Sequence, residues 1–347
     1  MPDEERPTVS IVIKAFNEER YIAAAIESAL VALCGLDGEV ILADGASTDR
    51  TVAIALTYPI TVVRLDRTAD RSCGAGSQLG YQYSRGEFVC LMDGDMRLHA
   101  DFLTAGIRFL KEHSGVAGVG GSTINHDAVN LEYAQRVRRF DPDSRPGLVT
   151  RLGGCGLYRR AAIETSGYLT DRNLHGGEEF ELAARLRAGG WTLARIDRVA
   201  VDHYCRPGNS YWQLIRRVLA RNTFAPGEVI RASLGRPHSG YVLQERHAML
   251  CGLTALWWCS LAAVTTAASG WPAALALATL ALLPFAVMTY RWRSLRYGIY
   301  SVTVLSVHTL CFLPGIIWPR VAPKDWIAST VIKGPPAAEN YSRVAWG

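Results

Sequence analysis

The 347-residue chain lacks the cysteine spacing of disulfide frameworks and zinc sites. None of its eight cysteines forms a Cys-x-x-Cys pair, three lie in apolar, membrane-like sequence, and Cys90 lies inside a predicted strand. We therefore interpret them as buried, reduced thiols. The net charge is only +5, and no basic tract is interleaved with aromatic residues. This excludes the usual pattern of a nucleic-acid-binding protein.

The N-terminal segment lacks the apolar core of a secretory signal, because residues 1–6 are acidic and polar. We therefore expect the first domain to stay in the cytoplasm. Charge is scarce elsewhere: between residues 248 and 318 the only ionised side chains are Arg291, Arg293 and Arg296. This shift in composition predicts a soluble domain followed by a membrane region.

Short, mostly apolar runs alternate with segments of helical spacing over the first hundred residues. The runs predict strands at 9–13, 39–43, 61–65 and 88–92, and the spacing predicts helices at 21–33, 51–56 and 76–84. Such alternation predicts an α/β fold with a parallel sheet covered by helices, and ligands at the carboxyl ends of its strands.

Acidic or amide side chains follow three of these strands. They are Asn17 and Glu18, Asp44 and Asp49, and Asp93 and Asp95. Asp93 and Asp95 share one face of an extended chain, and two carboxylates there repel each other unless a cation lies beside them. Hard cations such as Mg²⁺ prefer oxygen ligands and often share them with phosphate. The pattern predicts a metal and nucleotide site.

A glycine-rich stretch from Gly74 to Gly80 has the spacing G-x-G-x-x-x-G, one residue longer than a dinucleotide fingerprint. A polar segment precedes it instead of a strand, which excludes NAD binding. A helix N-terminus that binds phosphate with the help of Arg71 is the interpretation we keep.

With these motifs in order, the chain resembles family 2 glycosyltransferases of the GT-A fold. The matching stretches are residues 9–19 (VSIVIKAFNEE), 42–51 (LADGASTDRT), 86–96 (GEFVCLMDGDM) and 176–182 (GGEEFEL). The later part of the chain resembles membrane-attached members that build bacterial exopolysaccharide or lipid-linked glycans. The resemblance implies a nucleoside-diphosphate-sugar donor, a divalent metal (Mn or Mg) and inversion at the anomeric carbon.

The motifs and the resemblance together predict the residues of the site. Donor binding is assigned to Ala15, Asn17, Glu18, Asp44, Asp49, Arg71, Gly74, Asp93, Gly94 and Arg216. Metal binding is assigned to Asp95, Asp93 and His203, and the sugar and acceptor side to Gly153, Gly154 and Cys155. The family usually has Glu-Asp where this chain has Glu178-Glu179, and the second acid is the catalytic base. We assign the base to Glu179, and the longer side chain leaves Glu178 as the alternative.

The second part of the chain has the composition of a membrane region. Residues 210–221 are amphipathic and basic, which is typical of an interfacial helix. Gln213 to Arg217 lacks the tryptophan of the Q-x-x-R-W motif of processive synthases, and Arg216 could face either a diphosphate or lipid phosphates. Apolar stretches at 248–268, 271–290 and 297–318 each reach the roughly 20 residues that span a bilayer.

Flanking arginines predict that the first two stretches form a hairpin with cytoplasmic ends. Whether the third stretch also spans the membrane is left open. A spanning helix would place the basic tail outside the cytoplasm, and a bent or re-entrant segment would keep the tail in the cytoplasm. The tail is expected to be irregular. The predicted domains are a GT-A catalytic domain (1–205), interfacial helices (206–246), two or three transmembrane helices (247–318) and a tail (319–347).

The resulting hypothesis is a multi-pass enzyme of the inner (cytoplasmic) membrane, a metal-dependent inverting glycosyltransferase for cell-surface polysaccharide. Its donor would be a UDP-sugar, with a GDP-sugar as second choice, and its acceptor a hydroxyl of a lipid-linked glycan. A homo-oligomer is left open. The alternatives are a polyprenyl-phosphate glycosyltransferase, a processive synthase and a membrane scaffold that binds nucleotide-sugar without turnover.

Overall fold

The computed structural model describes residues 7–126, 130–138, 142–204, 208–244, 246–267 and 269–335. The chain divides into two compact units. The first comprises Met1–Ala128, Phe140–Arg206 and Arg320–Gly347, and the second comprises Val129–Arg139 and Pro207–Pro319. The second unit is thus formed by two segments that are inserted between the three parts of the first.

The first unit is built on one mixed sheet. Its strands are β1 (Val9–Ala15), β2 (Gly38–Asp44), β3 (Thr61–Leu65), β4 (Phe88–Asp93), β5 (Met96–Leu98), β6 (Val116–His126), β7 (Gly147–Val149), β8 (Gly156–Arg159), β9 (Thr192–Tyr204) and β10 (Ser329–Lys333). Their order is β10-β3-β2-β1-β4-β8-β6-β9-β5, with β7 paired to β9 outside this path.

The described α-helices all lie between β1 and β10 along the chain. They are α1 (Ile22–Ala32), α2 (Thr51–Ala55), α3 (Cys73–Tyr83), α4 (Ala100–Glu112), α5 (Leu131–Arg138), α6 (Arg160–Ser166), α7 (Glu178–Ala188), α8 (Ser210–Leu219), α9 (Ala225–Ser233), α10 (Ser239–Leu243), α11 (Arg246–Ala267), α12 (Gly270–Trp292) and α13 (Leu295–Ile317).

The predicted parallel sheet is confirmed for its central strands, because β1 pairs in parallel with β2 and β4, and β2 with β3. The sheet then becomes mixed: β8 runs antiparallel to both β4 and β6. Apolar residues of the two faces form the core, and Gly80 lets α3 approach β1 closely. A Cβ on Gly80 would lie 2.2 Å from Cγ1 of Val12.

Part of the tail returns to the sheet, so the expectation of an irregular tail is wrong for residues 329–333. Strand β10 pairs antiparallel with β3, and Ile327 just before it is fully buried against the sheet. Gln82 on α3 accepts the Ile327 amide at 2.8 Å, and Arg320 pairs with Asp171. The tail was misjudged because five residues on an exposed sheet edge carry too little apolar periodicity to predict a strand.

The second unit consists of helices in its described residues. Three of them are long and apolar enough to cross a membrane, over Ala248–Ala267, Gly270–Trp292 and Leu295–Ile317. These match the three apolar stretches predicted from the sequence. The amphipathic segment predicted at 210–221 is α8, which begins at an Asn209 cap whose side chain accepts the Tyr211 amide at 2.9 Å.

Candidate active site

The ends of β1, β2 and β4 meet at one edge of the sheet. Ala15 stands opposite Asp44, and Lys14 opposite Asp93, in the register of the three strands. The turn after β4 folds back on β1, because the Gly94 amide donates to the carbonyl oxygen of Lys14 at 3.0 Å. A Cβ on Gly94 would lie 3.1 Å from the Ala15 Cβ, so glycine allows this close approach. The predicted convergence of these strand ends is confirmed.

The loops after β1 and β2 are joined by side-chain hydrogen bonds. Asn17 Oδ1 accepts the Thr48 amide at 2.9 Å, and Asp49 Oδ2 accepts the Glu19 amide at 3.0 Å. Glu18 lies between Asn17 and Glu19 in the chain, and its Cγ is 3.0 Å from a Cβ built on Gly94. Asn17 and Asp49 thus hold the two loops together, and their contact with a donor stays a prediction.

Asp44 is fully buried at the end of β2. Its Oδ2 accepts the Ser47 amide at 3.0 Å and lies 3.5 Å from Nε of Arg64. Its Oδ1 is buried without a hydrogen-bond partner among the residues that the structure describes. Burial raises the pKa of Asp44, and the bonds from Ser47 and the charge of Arg64 oppose the rise. An acceptor atom is therefore available at this end of the sheet.

Three carboxylates surround the ammonium group of Lys14. Its Nζ lies 2.6 Å from Oε1 of Glu178, 3.2 Å from Oδ1 of Asp93 and 3.6 Å from Oε1 of Glu179. Burial would lower the pKa of Lys14, but the three carboxylates outweigh it and hold the pKa well above its ordinary value. Lys14 therefore stays charged at the centre of the site.

The two glutamates come from the first turn of α7. The helix begins after Gly177, whose positive φ of 73° suits glycine. Glu178 is buried against Lys14, whereas the side chain of Glu179 keeps 23% of its surface exposed. Burial and the charge of Glu178 raise the pKa of Glu179 from 4.5 to about 7. Of the two acids, Glu179 is the one open to a reactant and suited to exchange protons near neutral pH.

Asp95 and His203 lie close to each other, and the charge of Asp95 acts on Asp93. His203 Nε2 is 3.5 Å from Asp95 Oδ2, and its Nδ1 is 3.0 Å from Oδ1 of Asn125. An amide oxygen only accepts, so the contact with Asn125 is a hydrogen bond donated by Nδ1, and Nε2 is the ring nitrogen that faces Asp95. Asp95 Oδ1 is buried without a hydrogen-bond partner within the described ranges. No group of three His, Cys, Asp or Glu side chains in those ranges is already arranged as a metal site.

The glycine-rich segment before β8 lies beside the acids. A Cβ on Gly154 would lie 3.8 Å from Oδ2 of Asp93, and Gly153 has a positive φ of 90°. Cys155 is buried against Cys90, and this contact raises its pKa. The predicted sugar-side loop is therefore adjacent to the site, with Cys155 in the core.

Arg71, Gly74 and Arg216 have different surroundings. The Arg71 guanidinium stacks on the Phe16 ring at 3.8 Å, next to the end of β1. Gly74 is buried, and a Cβ there would lie 2.0 Å from the carbonyl oxygen of Asp171, so packing accounts for the glycine. Arg216 is exposed on α8 in the second unit. Donor binding by these three stays a prediction.

Sequence reasoning missed Lys14, Arg64 and Asn125. A signal for Lys14 was available: a lysine that closes an apolar strand next to several acids is costly unless it is paired. No local pattern marks Arg64 or Asn125, because each acts on a residue that only the fold brings near.

Comparison with known proteins agrees with this geometry. Residues 10–167 match the model of glycosyl transferase family 2. The succinoglycan biosynthesis protein ExoO of Rhizobium meliloti is 33% identical over 129 residues, which are 36% of this chain and 35% of that protein. The dodecaprenyl-phosphate galacturonate synthase of Rhizobium johnstonii is 31% identical over 212 residues, 57% of this chain and 59% of that protein.

A solved structure shares the fold. The mannosyltransferase PcManGT from Pyrobaculum calidifontis, in complex with GDP-Man and Mn²⁺, has a TM-score of 0.59 at 20% identity, over 91% of this chain and 88% of that one. The α/β sheet is thus that of the GT-A transferases. With the motifs, the sheet and the matched residues in agreement, residues 10–167 are a glycosyl transferase family 2 segment within a GT-A fold.

Proposed function

We propose that the chain transfers a sugar from a nucleoside-diphosphate-sugar to a hydroxyl group of a lipid-linked glycan at a membrane. The observation that carries this proposal is the cluster at the ends of β1 and β4, where Asp93, Glu178 and Glu179 surround Lys14. This cluster combines a donor-side acid with a candidate base, and Asp95 completes the pair of acids after β4.

The nucleotide would lie across the ends of β1 and β2. The buried Oδ1 of Asp44 accepts a ring N–H of the base, which supplies the hydrogen bond it otherwise lacks. Arg71, fixed on Phe16, offers its positive charge to the diphosphate. A UDP-sugar is the favoured donor and a GDP-sugar the second choice.

The residues present fit a divalent metal. Asp95 and His203 supply an oxygen and a nitrogen ligand, with Asp93 adjacent, and the unpartnered Asp95 Oδ1 is the observation that supports them. Two protein ligands suffice when substrate phosphates provide the others. Mn²⁺ or Mg²⁺ bound there would offset the negative charge of the departing diphosphate.

Glu179 is the proposed general base. It accepts the proton of the acceptor hydroxyl while that oxygen forms its bond to the anomeric carbon. The bond from this carbon to the donor phosphate oxygen breaks on the opposite face, and the diphosphate leaves with the electron pair. Because attack and departure occur on opposite faces, the configuration inverts. Base catalysis of this kind contributes roughly 10²–10⁴-fold to the rate. Glu178, bonded to Lys14, holds the cluster in place and takes no proton from the acceptor.

A lipid-linked acceptor is supported by the relatives and by composition. One relative is named for succinoglycan biosynthesis and another for a dodecaprenyl-phosphate product. The three apolar helices would attach the chain to the inner membrane with the catalytic domain in the cytoplasm. The dodecaprenyl-phosphate relative also favours a second candidate, in which the acceptor is a lipid phosphate that needs no strong base.

The test is release of nucleoside diphosphate from a panel of UDP- and GDP-sugars, with Mn²⁺ and a bacterial lipid extract. We compare the unaltered chain with Asp95→Asn and with Asp101→Asn, an exposed acid on α4 that serves as the matched control. Lipid-stimulated release from one donor, lost only in Asp95→Asn, supports the proposal. Donor binding without release in all three proteins would instead support a scaffold.

A further inference from the structure

The third apolar helix differs from the other two in how it lies within the second unit. Helices α11 and α12 are antiparallel, and Nε1 of Trp257 donates to the Leu280 carbonyl at 2.8 Å. This contact sets their register, so that Thr289, nine residues beyond Leu280, is level with Ala248. The base of this hairpin is therefore the end where α11 begins and α12 finishes.

Helix α13 contacts the hairpin near this base. A Cβ on Gly298 would lie 2.4 Å from Oγ1 of Thr289, and Thr309 Oγ1 donates to the Cys251 carbonyl at 3.3 Å. From Gly298 to Thr309 the helix advances about 16 Å along its own axis. The two residues that it contacts on the hairpin, Thr289 and Cys251, are separated by only about 5 Å along the axis of the hairpin. Helix α13 therefore crosses the hairpin at a steep angle.

Polar helices cover α13 along both halves. Gln135 on α5 donates to Ser301 Oγ at 2.9 Å, and α9 packs against the second half. There a Cβ on Gly227 would lie 2.1 Å from the Phe312 carbonyl. Because α9 also carries Glu228 and Arg231, placing this assembly in the hydrocarbon core would be costly.

Strand β10 adds an independent constraint. It follows α13 in the chain, yet it pairs with β3, which precedes all three apolar helices. One folded sheet lies on one side of a membrane, so the segment between β3 and β10 must cross an even number of times. Three spanning helices are incompatible with this pairing.

We propose that α11 and α12 alone cross the bilayer, as a hairpin, and that α13 lies along the cytoplasmic membrane surface with its apolar side toward the lipid. This rests on the membrane attachment in the proposed function. Arg236, Arg291, Arg293 and Arg296 agree with it, because they flank the base of the hairpin in the sequence.

The test is labelling with a membrane-impermeant maleimide in sealed, right-side-out membrane vesicles from cells that make the full chain. Ser269→Cys marks the turn between α11 and α12, and Ser342→Cys marks the tail. The unaltered chain measures labelling of the native cysteines, which is subtracted. We expect Ser269→Cys to gain a label in sealed vesicles and Ser342→Cys to gain one only after detergent.

Two results would overturn the proposal: labelling of Ser342→Cys in sealed vesicles, which means three crossings, or no labelling of Ser269→Cys before detergent, which means no hairpin. Recovery of the chain in the soluble fraction would overturn it together with the membrane attachment. Release of nucleoside diphosphate by each variant checks that it is folded. Since labelling does not depend on turnover, failure here is distinguishable from failure of the transferase proposal.

Discussion

The ammonium group of Lys14 and the buried carboxylate of Glu178 lie 2.6 Å apart, although 164 positions separate them in the sequence. This pair joins the end of β1 to the first turn of α7. Asp93 and Glu179 also lie within 3.6 Å of the same nitrogen. A single buried cation thus offsets the mutual repulsion of three acids, which would otherwise favour their protonation.

Replacing Lys14 by methionine is expected to raise the pKa of Glu179 above about 7, because the cation that opposes protonation is lost. Each unit of increase cuts the ionised base about tenfold below the pKa. The acidic limb of the pH–rate profile should therefore move to higher pH. Lys14→Arg keeps the charge and should leave the limb in place. A uniform loss of rate with an unmoved limb in Lys14→Met would contradict this role.

Activity should rise with pH through about 7, since Glu179 must lose its proton to act as the base. Glu179→Gln is expected to lower kcat by roughly 10²–10⁴-fold. Glu178→Gln removes a neighbouring negative charge and should shift the limb to lower pH with a smaller loss. Turnover that survives in Glu179→Gln would point to a lipid-phosphate acceptor.

His203→Ala should weaken Mn²⁺ binding, because it removes a proposed ligand beside Asp95. Asn125→Leu, which removes the partner of His203 Nδ1, should weaken it by roughly 10–100-fold. Titration calorimetry with Mn²⁺ and a nucleoside diphosphate measures both without turnover. His113→Ala is the control, because His113 is exposed and contacts its own helix. Equal affinity in all proteins would remove His203 from the metal site.

Ile327→Ala should destabilise the catalytic unit by about 2–5 kcal/mol, as expected for a fully buried aliphatic side chain. Val331→Ala on β10 is the matched control, since Val331 is 45% exposed and should change stability little. Thermal inactivation in detergent compares the two variants. Identical half-lives would mean that the tail contributes nothing to the stability of the sheet.

Much of the central sheet could be predicted because each of its first strands is a short, mostly apolar run. The run at 61–65 coincides with β3, and the polar residues at the ends of β1, β2 and β4 do converge. The antiparallel pairing of β8 could not be predicted, because a four-residue strand leaves no information on its direction.

The sequence could suggest site residues that stand in short motifs, and it could not suggest those whose neighbours are set by the fold. Asp93, Asp95 and Glu179 stand in recognisable motifs, and the structure brings Asp93 and Glu179 around one nitrogen. Lys14 was passed over because its importance comes from α7, far along the chain. The choice between Glu178 and Glu179 likewise required their unequal exposure, which adjacent positions in the sequence cannot distinguish.

The pairing of β10 with β3 also bears on how the protein is made. While the ribosome is still adding α11 to α13, β3 remains an open edge with unpaired amides and carbonyls, which is a known route to aggregation. The sheet of a nascent chain can be closed only after the apolar helices have emerged and found their place. Completion of the sheet therefore waits until α11 to α13 have been synthesised, and chains interrupted before residue 329 would leave that edge exposed to chaperones and proteases.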